Sequence, residues 1–343
     1  MAELARAIEL SPDERIGVAG ALERGLGLRI TPYYLGLVDR RDPACPIRRQ
    51  VVPVAAEAEL GRGESADPLN ERAHEIAPGL VRRYPDRAVL LVSAECAVHC
   101  RFCTRSRLFG ARRRAASRAR LGTALGEIER RPEIREVIVS GGDPFTLRTR
   151  KLVAIVAALR RIPHLEVIRL GTRTPATLPS RITPKLLAAL SPYHPLWVMS
   201  HFNHPRELTP QAAEACRRMV DAGFPVMNQT VLLRGVNDRP EVLEQLFRGL
   251  VRWRVRPYYL MQMDPVAGSS HLRTPLATGE TIMAELQGRV TGIALPKLVV
   301  DTPGGAGKIV LGPSTVVARA PGRTRLRTPD GVEIDVLDPP ERS

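Results

Sequence analysis

The feature that most constrains the fold of this 343-residue chain is a regular alternation of strand and helix patterns. Short apolar runs typical of buried strands lie at 88–95, 136–142, 165–173, 196–202, 225–233 and 256–263. Most are separated by amphipathic helix patterns such as KLVAIVAALRRI and QAAEACRRMVDAG. Repeated strand–helix units form parallel sheets with crossover helices. We therefore predict an α/β fold, a partial (β/α)6 TIM-type barrel, with its functional groups at the carboxyl ends of the strands.

The pattern changes on both sides of this central region. The first 75 or so residues have helical patterns interrupted by Pro and Gly, as in PDERIGVAGALERGLG and PIRRQVVPVAAEAEL. Beyond residue 290, PKLVVDTPGGAGKIVL and RTRLRTPDGVEIDVL are typical of further strands, the last two joined at an Asp-Gly turn. We predict an N-terminal helical segment (1–75), the barrel (76–290) and a small C-terminal β extension that carries a lysine segment and a hairpin (291–343).

Three cysteines follow the first predicted barrel strand in a Cys-x3-Cys-x2-Cys spacing: Cys96, Cys100 and Cys103. A four-iron cluster usually takes four protein thiolates, so three leave one iron with an open coordination position. Zinc sites usually close with four ligands, and the only other cysteines are Cys45 and Cys216. A zinc knot, or three ordinary buried thiols, is therefore less favoured. The spacing matches the radical S-adenosylmethionine (SAM) signature, in which the open iron binds the methionine end of SAM.

Composition argues against several classes of protein. The N-terminus has early acidic residues and no apolar signal stretch, and no apolar run is long enough for a membrane span. Clustered cysteines disfavour a disulfide framework, so we expect a cytoplasmic, reducing location. The net charge of +15 invites a nucleic-acid interpretation, but only four of the 51 basic residues are lysine, which is typical of codon bias. The basic run at 111–120 is more typical of a solvated helix face, so nucleic-acid binding is less favoured.

A glycine-rich segment, DTPGGAGK at 301–308, ends in one of the few lysines. Glycines allow unusual backbone angles and close approach to a ligand. They can therefore bring Lys308 to a cofactor aldehyde, with which it would form a Schiff base. A P-loop would continue into a helix, whereas Lys308 precedes Ile-Val. On its own the segment fits a solvated lysine after a turn; next to the cysteine motif, the cofactor lysine becomes the better interpretation.

Residues 68–325 resemble the lysine 2,3-aminomutase family of radical SAM enzymes, which use pyridoxal 5′-phosphate (PLP). The resemblance is carried by CAVHCRFCTRSR, SGGD, RTPATLPSRITP, HFNHPRELT, NQTVLLRGVND, RVRPYYLMQMD and VVDTPGGAGK. It implies a radical SAM barrel, a [4Fe-4S] cluster on the three cysteines, SAM, PLP and a flavodoxin- or ferredoxin-type electron donor. The implied reaction is an isomerisation in which an α-amino group moves to the neighbouring β-carbon.

The resemblance also implies roles for individual residues. Lys308 is the implied catalytic residue that holds PLP. The implied cofactor-binding residues are Arg83, Tyr84 and Arg87 in a PLP segment, Ser140, Gly141, Gly142 and Asp143 in a SAM turn, and His201 and Gln229 at strand ends. The glycines of that turn are expected to let backbone groups approach the methionine amino group.

Three charged positions are implied to select the substrate. Arg105 would bind the α-carboxylate, and Asp264 and Asp301 would hold the distal ammonium. Two buried carboxylates raise each other's pKa, and a cation between them relieves the repulsion. Glutamate-acting relatives replace these acids. The expected activity is therefore L-lysine 2,3-aminomutase, giving β-lysine.

Alternatives to this assignment stay open. Two aspartates could also hold arginine or ornithine, and the compact length resembles the enzymes that make β-lysine for elongation factor P. More remote are a radical SAM enzyme that modifies RNA or protein and a simple iron–sulfur electron carrier. If Lys308 does not hold PLP, the candidates are Lys297, Lys185 and Lys151.

One departure from the family pattern concerns zinc. Clostridial-type members bind a zinc between subunits through a C-terminal cysteine cluster and a cysteine near GVND. Here Arg239 follows GVND, and the final DPPERS contains no cysteine. We therefore expect no interfacial zinc, whether or not the chain forms a homo-oligomer.

Overall fold

The computed structural model describes residues 2–24, 27–108, 118–312, 315–320, 323–329 and 331–337. The α-helices are Ala2–Ala7 (α1), Pro12–Glu23 (α2), Pro32–Leu35 (α3), Arg118–Glu129 (α4), Thr149–Arg160 (α5), Thr174–Thr177 (α6), Pro184–Leu190 (α7), Pro210–Asp221 (α8), Pro240–Arg252 (α9) and Leu276–Leu286 (α10). The strands are Glu75–Ala77 (β1), Leu80–Val81 (β2), Arg87–Ser93 (β3), Glu136–Gly141 (β4), Val167–Gly171 (β5), Leu196–Ser200 (β6), Val226–Leu232 (β7), Arg256–Gln262 (β8), Lys297–Asp301 (β9), Lys308–Leu311 (β10), Val316–Ala320 (β11), Arg323–Arg327 (β12) and Glu333–Leu337 (β13).

The main sheet contains strands β1 to β10 in chain order. Neighbours from β3 to β9 pair in parallel, whereas β1, β2 and β10 pair antiparallel at the two edges. The six predicted central strands are all present as β3 to β8, with helices between successive strands. The predicted α/β fold with a largely parallel sheet is therefore confirmed, and β9 adds a seventh parallel strand.

Successive side chains along the parallel strands lie on opposite faces of the sheet. On one face, residues such as Val139 and Leu170 are fully buried in the main apolar core with the helices. On the other face, Ser140, Arg169 and Tyr259 line a cavity. The sheet thus has one apolar, helix-covered face and one face available for polar chemistry.

Helices of the central region begin at recognisable sequence signals. The hydroxyls of Thr183 and Thr209 accept hydrogen bonds of 3.1 Å from backbone N–H groups three residues later, and Pro184 and Pro210 occupy the first helical positions. These residues satisfy or remove N–H groups that have no partner within the helix. The chain therefore turns from strand to helix at defined points.

The N-terminal segment only partly follows its sequence pattern. The helix predicted at 12–27 is present as α2, but the helical pattern at 46–60 does not form one helix. It contains two short 3-10 helices, Arg48–Gln50 and Ala55–Ala58. Pro53 lies between them, and proline has no N–H for the helical hydrogen bond and clashes with the preceding turn. The prediction failed because that proline outweighs the apolar periodicity.

The C-terminal extension is larger than the predicted hairpin. Strands β12 and β13 pair antiparallel as expected, and β11, which was not predicted, joins them in a three-stranded sheet of the described residues. The first residue of the Asp-Gly turn, Asp330, lies outside the described residues, as do the final DPPERS and most of the basic run at 111–120. None of the described helices is long and apolar enough to cross a bilayer.

The turn after β4 lies against the backbone that leads to the cysteine loop. Gly141 has a φ of +119°, and a Cβ atom there would lie 2.4 Å from the Ser93 carbonyl oxygen; at Gly142 it would lie 2.3 Å from that of Glu95. The Gly142 N–H donates to the Ser93 carbonyl at 2.6 Å. These glycines therefore let two backbone segments pack closely, and the Gly142 N–H takes part in that packing. Their expected approach to a ligand stays a prediction.

We expect Gly141→Ala to lower the free energy of unfolding by at least about 2 kcal/mol, because the added methyl group meets backbone at an unfavourable φ. Urea unfolding followed by circular dichroism measures the change. Gly122→Ala is the matched control: no heavy atom lies within 4 Å of its added Cβ in α4, so it should stabilise the helix by about 0.5–1 kcal/mol. Equal stability of Gly141→Ala and the parent protein would contradict the packing argument.

Candidate functional site

A cavity of about 490 Å³ lies over the polar face of the main sheet and receives residues from β2 through β10. Every residue given a site role from the sequence lines this cavity: Arg83, Tyr84, Arg87, Cys96, Cys100, Cys103, Arg105, Ser140, Gly141, Gly142, Asp143, His201, Gln229, Asp264, Asp301 and Lys308. Their convergence follows from the parallel sheet, because the carboxyl ends of its strands lie along one edge.

The three motif cysteines are free thiols on the loop after β3. Burial, together with the neighbouring thiols, raises the pKa of Cys103 to about 11 and that of Cys96 further. Within the described residues, no three Cys, His, Asp or Glu side chains are placed to hold a single metal ion. An iron–sulfur cluster has a separate iron for each thiolate, so its ligands need not converge on one point. Three free thiols on one short, cavity-facing loop match that donor set.

The N-terminal segment supports the cysteine loop. The Arg101 N–H donates to the Gln50 carbonyl at 2.9 Å, and the Arg101 guanidinium contacts the buried Glu57 carboxylate, with an Nε–Oε1 distance of 3.0 Å. Val98 packs into the apolar cluster formed by the N-terminal segment. The loop conformation therefore depends on residues that lie outside the parallel sheet.

Lys308 lies where the glycine-rich segment meets the segment before β3. Strand β10 places it directly opposite Asp301 on β9, and its Nζ forms a salt bridge with that carboxylate. The Arg83 Nη2 donates to the other Asp301 oxygen at 3.1 Å, and the Lys308 N–H donates to the Tyr84 hydroxyl at 2.9 Å. One hydrogen-bonded group thus contains Lys308, Asp301 and the predicted PLP-binding segment.

Asp264 and Asp301 are electrostatically coupled. Burial, followed by the nearby Asp301 carboxylate, raises the pKa of Asp264 to about 7. Asp301 forms salt bridges with Arg83 and Lys308, whereas the described residues provide no salt bridge for Asp264. The pair therefore contains one compensated carboxylate and one whose ionisation an added cation would favour.

Arg105 has a partner that the sequence did not reveal. Its Nε and Nη2 donate to the Glu71 carboxylate at 2.9 and 2.6 Å, and its Nη1 donates to the Ser140 hydroxyl at 3.2 Å. Arg107 also contacts Glu71, at 2.7 Å. Burial opposes ionisation of Glu71, but the two guanidinium groups outweigh it and lower its pKa to about 2. A substrate carboxylate at Arg105 must therefore share the guanidinium with Glu71 or displace it.

Asp143 and Gln229, which were both expected to contact a cofactor, lie in local environments that the sequence did not predict. The buried Asp143 carboxylate accepts hydrogen bonds from the Phe145 and Arg173 N–H groups at 2.9 and 2.8 Å and from the Thr172 hydroxyl at 2.8 Å. It anchors the loop after β5. Gln229 lies inside β7 and not at its end, and it reaches the cavity because alternate residues of that strand face it.

His201, directly after β6, has the features of a ligand contact. Its Nε2 is buried and has no hydrogen-bond partner among the described residues. Burial, and then the positive charge of Arg173, lower the pKa of His201 to about 3, so the ring is neutral. The ring stacks on Phe102 with the centroids 5.6 Å apart. Buried polar atoms are usually hydrogen-bonded, so an unpartnered nitrogen at a cavity wall is suited to contact a bound ligand.

Arg87 stacks on Tyr84, with its guanidinium carbon 3.9 Å from the ring centroid. The cavity also receives polar residues that sequence reasoning missed: Glu71, Arg169, Arg173, Tyr258 and Tyr259. A partial signal existed, because Arg169 interrupts the apolar strand β5 and Arg173 lies two residues beyond its end.

Comparisons with known proteins show which families the chain resembles. Residues 90–246 match the family model of the radical SAM superfamily, and residues 283–342 match that of lysine-2,3-aminomutase. The chain is 44% identical over 337 residues to an L-lysine 2,3-aminomutase of Fusobacterium nucleatum, covering 98% of this chain and 79% of that one. It is 43% identical over 337 residues to the enzyme of the same name from Clostridium subterminale, covering 98% and 81%. A glutamate 2,3-aminomutase of Clostridioides difficile is 40% identical over 311 residues, covering 91% and 74%.

We expect Glu71→Gln to lower the free energy of unfolding at pH 7 by on the order of 3 kcal/mol, because the ionised carboxylate is paired only in the folded state. The folded pKa of Glu71 is depressed to about 2, so its contribution is complete above the unfolded pKa and is lost as the pH falls towards 2. Urea unfolding of both proteins at pH 7 and pH 4 measures this. Glu129→Gln, at an exposed end of α4, is the control. If the free energies of unfolding of Glu71→Gln and the parent protein differed by the same amount at pH 7 and pH 4, the low pKa of Glu71 would be contradicted.

Proposed function

The chain belongs to the lysine 2,3-aminomutase family of the radical SAM superfamily, and we propose that L-lysine is the amino acid whose α-amino group it moves to the β-carbon. It is a radical SAM 2,3-aminomutase, an isomerase, and its family implies a [4Fe-4S] cluster, SAM and PLP. The choice of lysine is supported by one observation above all: two coupled acids, Asp264 and Asp301, line the cavity that also contains Lys308.

We assign the cofactors to the residues whose chemistry fits them. Cys96, Cys100 and Cys103 would hold the cluster, and Lys308 would hold PLP. The unpartnered His201 nitrogen would contact SAM or its adenosyl group, and the backbone of the Ser140–Asp143 turn would border the methionine end. When bound, the cluster and SAM supply a carbon radical that removes hydrogen from the substrate, and PLP spreads the unpaired electron while the nitrogen moves.

The PLP phosphate would lie near the arginines of the segment before β3. Guanidinium groups suit phosphate through several donors in one plane. Arg87 is the stronger candidate, because Arg83 already contacts Asp301. The stack of Arg87 on Tyr84 would hold that guanidinium in place, and the Tyr84 hydroxyl also fixes the start of β10 at Lys308.

The substrate would be held at its two ends by groups of opposite charge. Arg105 would bind the α-carboxylate, with Glu71 restricting the orientation of its guanidinium. At the far end, Asp264 would gain a full charge as an ammonium enters, and Asp301 would share that ammonium when Lys308 takes another partner. A glutamate side chain would bring a third carboxylate to the same place, which the electrostatics disfavour.

Because residues from β2 to β10 all contribute to one cavity, we also propose that the main sheet curves around it as a partial barrel. A flavodoxin- or ferredoxin-type protein is the proposed electron donor.

The proposal is tested by anaerobic turnover with reconstituted protein, SAM, PLP and dithionite. L-lysine, L-ornithine, L-arginine and L-glutamate are supplied separately, and products are resolved by chromatography. We expect β-lysine from lysine and much slower turnover of the others. Preference for ornithine or arginine would keep the role of Asp264 and Asp301 in binding a cation but change the substrate. Turnover of glutamate alone would overturn the role assigned to these two aspartates.

We expect Asp264→Asn to raise the lysine KM about tenfold to a hundredfold, the cost of losing a hydrogen-bonded charge partner, with less effect on SAM binding. In the parent protein the folded pKa of Asp264 is raised to about 7, so the ionised form that attracts ammonium increases between pH 6 and pH 8. The lysine KM should fall over that range in the parent and lose this dependence in the variant. Asp221→Asn, on the surface of α8, is the control. If the lysine KM depended on pH in the same way in the parent and in Asp264→Asn, Asp264 would not be a substrate-binding residue.

We expect Lys308→Ala to abolish the visible absorbance that PLP acquires when bound to a lysine amine, while the iron–sulfur absorbance stays. Lys297→Ala is the matched control, because Lys297 lies exposed at the start of the adjacent strand β9. Spectra of both variants after loading with PLP provide the measurement. Loss of the PLP band in Lys297→Ala, with retention in Lys308→Ala, would transfer the role to Lys297.

A further inference from the structure

The side chain of Arg173 joins the cysteine loop to the interior of the protein. Arg173 follows β5 and is buried, and its Nη1 donates a hydrogen bond to the Cys100 Sγ at 2.7 Å. Cys100 is one of the three proposed cluster ligands. A buried arginine is therefore in direct contact with a sulfur atom that would bind iron.

The other end of the guanidinium is fixed by three acceptors. Arg173 Nη2 donates to the Glu207 carboxylate at 2.9 Å, to the Tyr34 hydroxyl at 2.9 Å and to the Gln50 side-chain oxygen at 2.6 Å. Glu207 has no exposed surface and also accepts from the Tyr34 hydroxyl at 2.8 Å. Two of these three acceptors come from the N-terminal segment.

The backbone of Arg173 is fixed as well. Its N–H donates to the Asp143 carboxylate at 2.8 Å, which also accepts from the Thr172 hydroxyl. The arginine is therefore held at its main chain by the turn after β4 and at its side chain by Glu207. Such support leaves little freedom to turn away from Cys100 when a cluster is loaded.

We propose that Arg173 is a positioning residue that raises the reduction potential of the cluster by donating an N–H···S hydrogen bond to Cys100. This inference rests on the proposed function. Reduction adds one electron and one negative charge to the cluster. A hydrogen bond to a ligating sulfur, and a nearby positive charge, favour the more negative state. No proton is transferred, because a guanidinium stays protonated in proteins.

The N-terminal segment supports the contact between Arg173 and Cys100. Tyr34 and Gln50 orient the guanidinium, and Gln50 also accepts the Arg101 N–H of the cysteine loop through its carbonyl. The segment thus fixes both the loop and the residue that contacts its sulfur.

Arg173→Gln tests the proposal, with Arg101→Gln as the matched control. Arg101 lies in the cysteine loop next to Cys100, is also buried and neutralises a buried glutamate, Glu57, but its guanidinium contacts are with that carboxylate. Both variants remove one positive charge near the cluster, and only Arg173→Gln removes the contact with sulfur. Because Arg173→Gln leaves Glu207 without its cation, the double variant Arg173→Gln/Glu207→Gln is measured in parallel.

The midpoint potential of each reconstituted protein is measured by anaerobic redox titration followed by electron paramagnetic resonance, with SAM and PLP binding measured separately. We expect both Arg173 variants to have a potential at least about 59 mV more negative than the parent, a tenfold change in a one-electron equilibrium. The shift in Arg101→Gln should be less than half as large.

Unchanged potentials in the Arg173 variants, or a shift no larger than that of Arg101→Gln, would overturn the proposal. So would a loss of SAM affinity at constant potential, because Arg173 would then act on SAM. Failure of the cluster to assemble in both Arg173 variants, with Arg101→Gln intact, would also overturn it in favour of a role in assembly. If the parent protein itself formed no SAM-cleaving cluster, the proposed function would fail first.

Discussion

The structure depends on the parallel pairing of seven consecutive strands, β3 to β9. Strands that run in the same direction end along one edge of the sheet, so the loops that follow them meet although they are far apart in sequence. The cysteine loop follows β3, the glycine turn follows β4, His201 follows β6 and Asp264 follows β8. The antiparallel return of β10 then brings Lys308 back to the same edge, opposite Asp301. Without this arrangement of the strands, these groups would not share a cavity.

Collecting charged groups in one cavity is costly unless each charge has a partner, and the structure supplies partners at most positions. Glu71 is paired with Arg105, Glu207 with Arg173, and Asp301 with Arg83 and Lys308. Breaking a buried pair by removing one member usually costs about 3–5 kcal/mol. Asp264 differs, because its pKa is raised and the described residues offer it no salt bridge. The same electrostatics that stabilise the site therefore leave one position where a cationic group from a substrate would be favoured.

Local sequence pattern predicted the central strands but not every element, and it did not predict the contacts between distant segments. Strands β3 to β8 follow from apolar runs, and the lysine and cysteine motifs were identified by residue type and spacing. The helical pattern at 46–60 failed because Pro53 interrupts it, and β11 was missed because its exposed residues follow no strong alternation. The partners of Arg105 and Asp143 could not be predicted, since those contacts join segments about 30 residues apart or more. Arg173 was missed for the same reason: its partner Cys100 is 73 residues away in the sequence.

The central claim is that one cavity holds both the iron–sulfur cluster and the PLP-bearing lysine. An anaerobic crystal structure of the protein loaded with iron, SAM, PLP and L-lysine tests this most directly, because anomalous scattering locates iron independently of the protein coordinates. The account predicts iron at Cys96, Cys100 and Cys103, PLP joined to the protein or substrate beside Lys308, and the substrate ammonium between Asp264 and Asp301. Iron at other residues, or PLP bound outside this cavity, would contradict it.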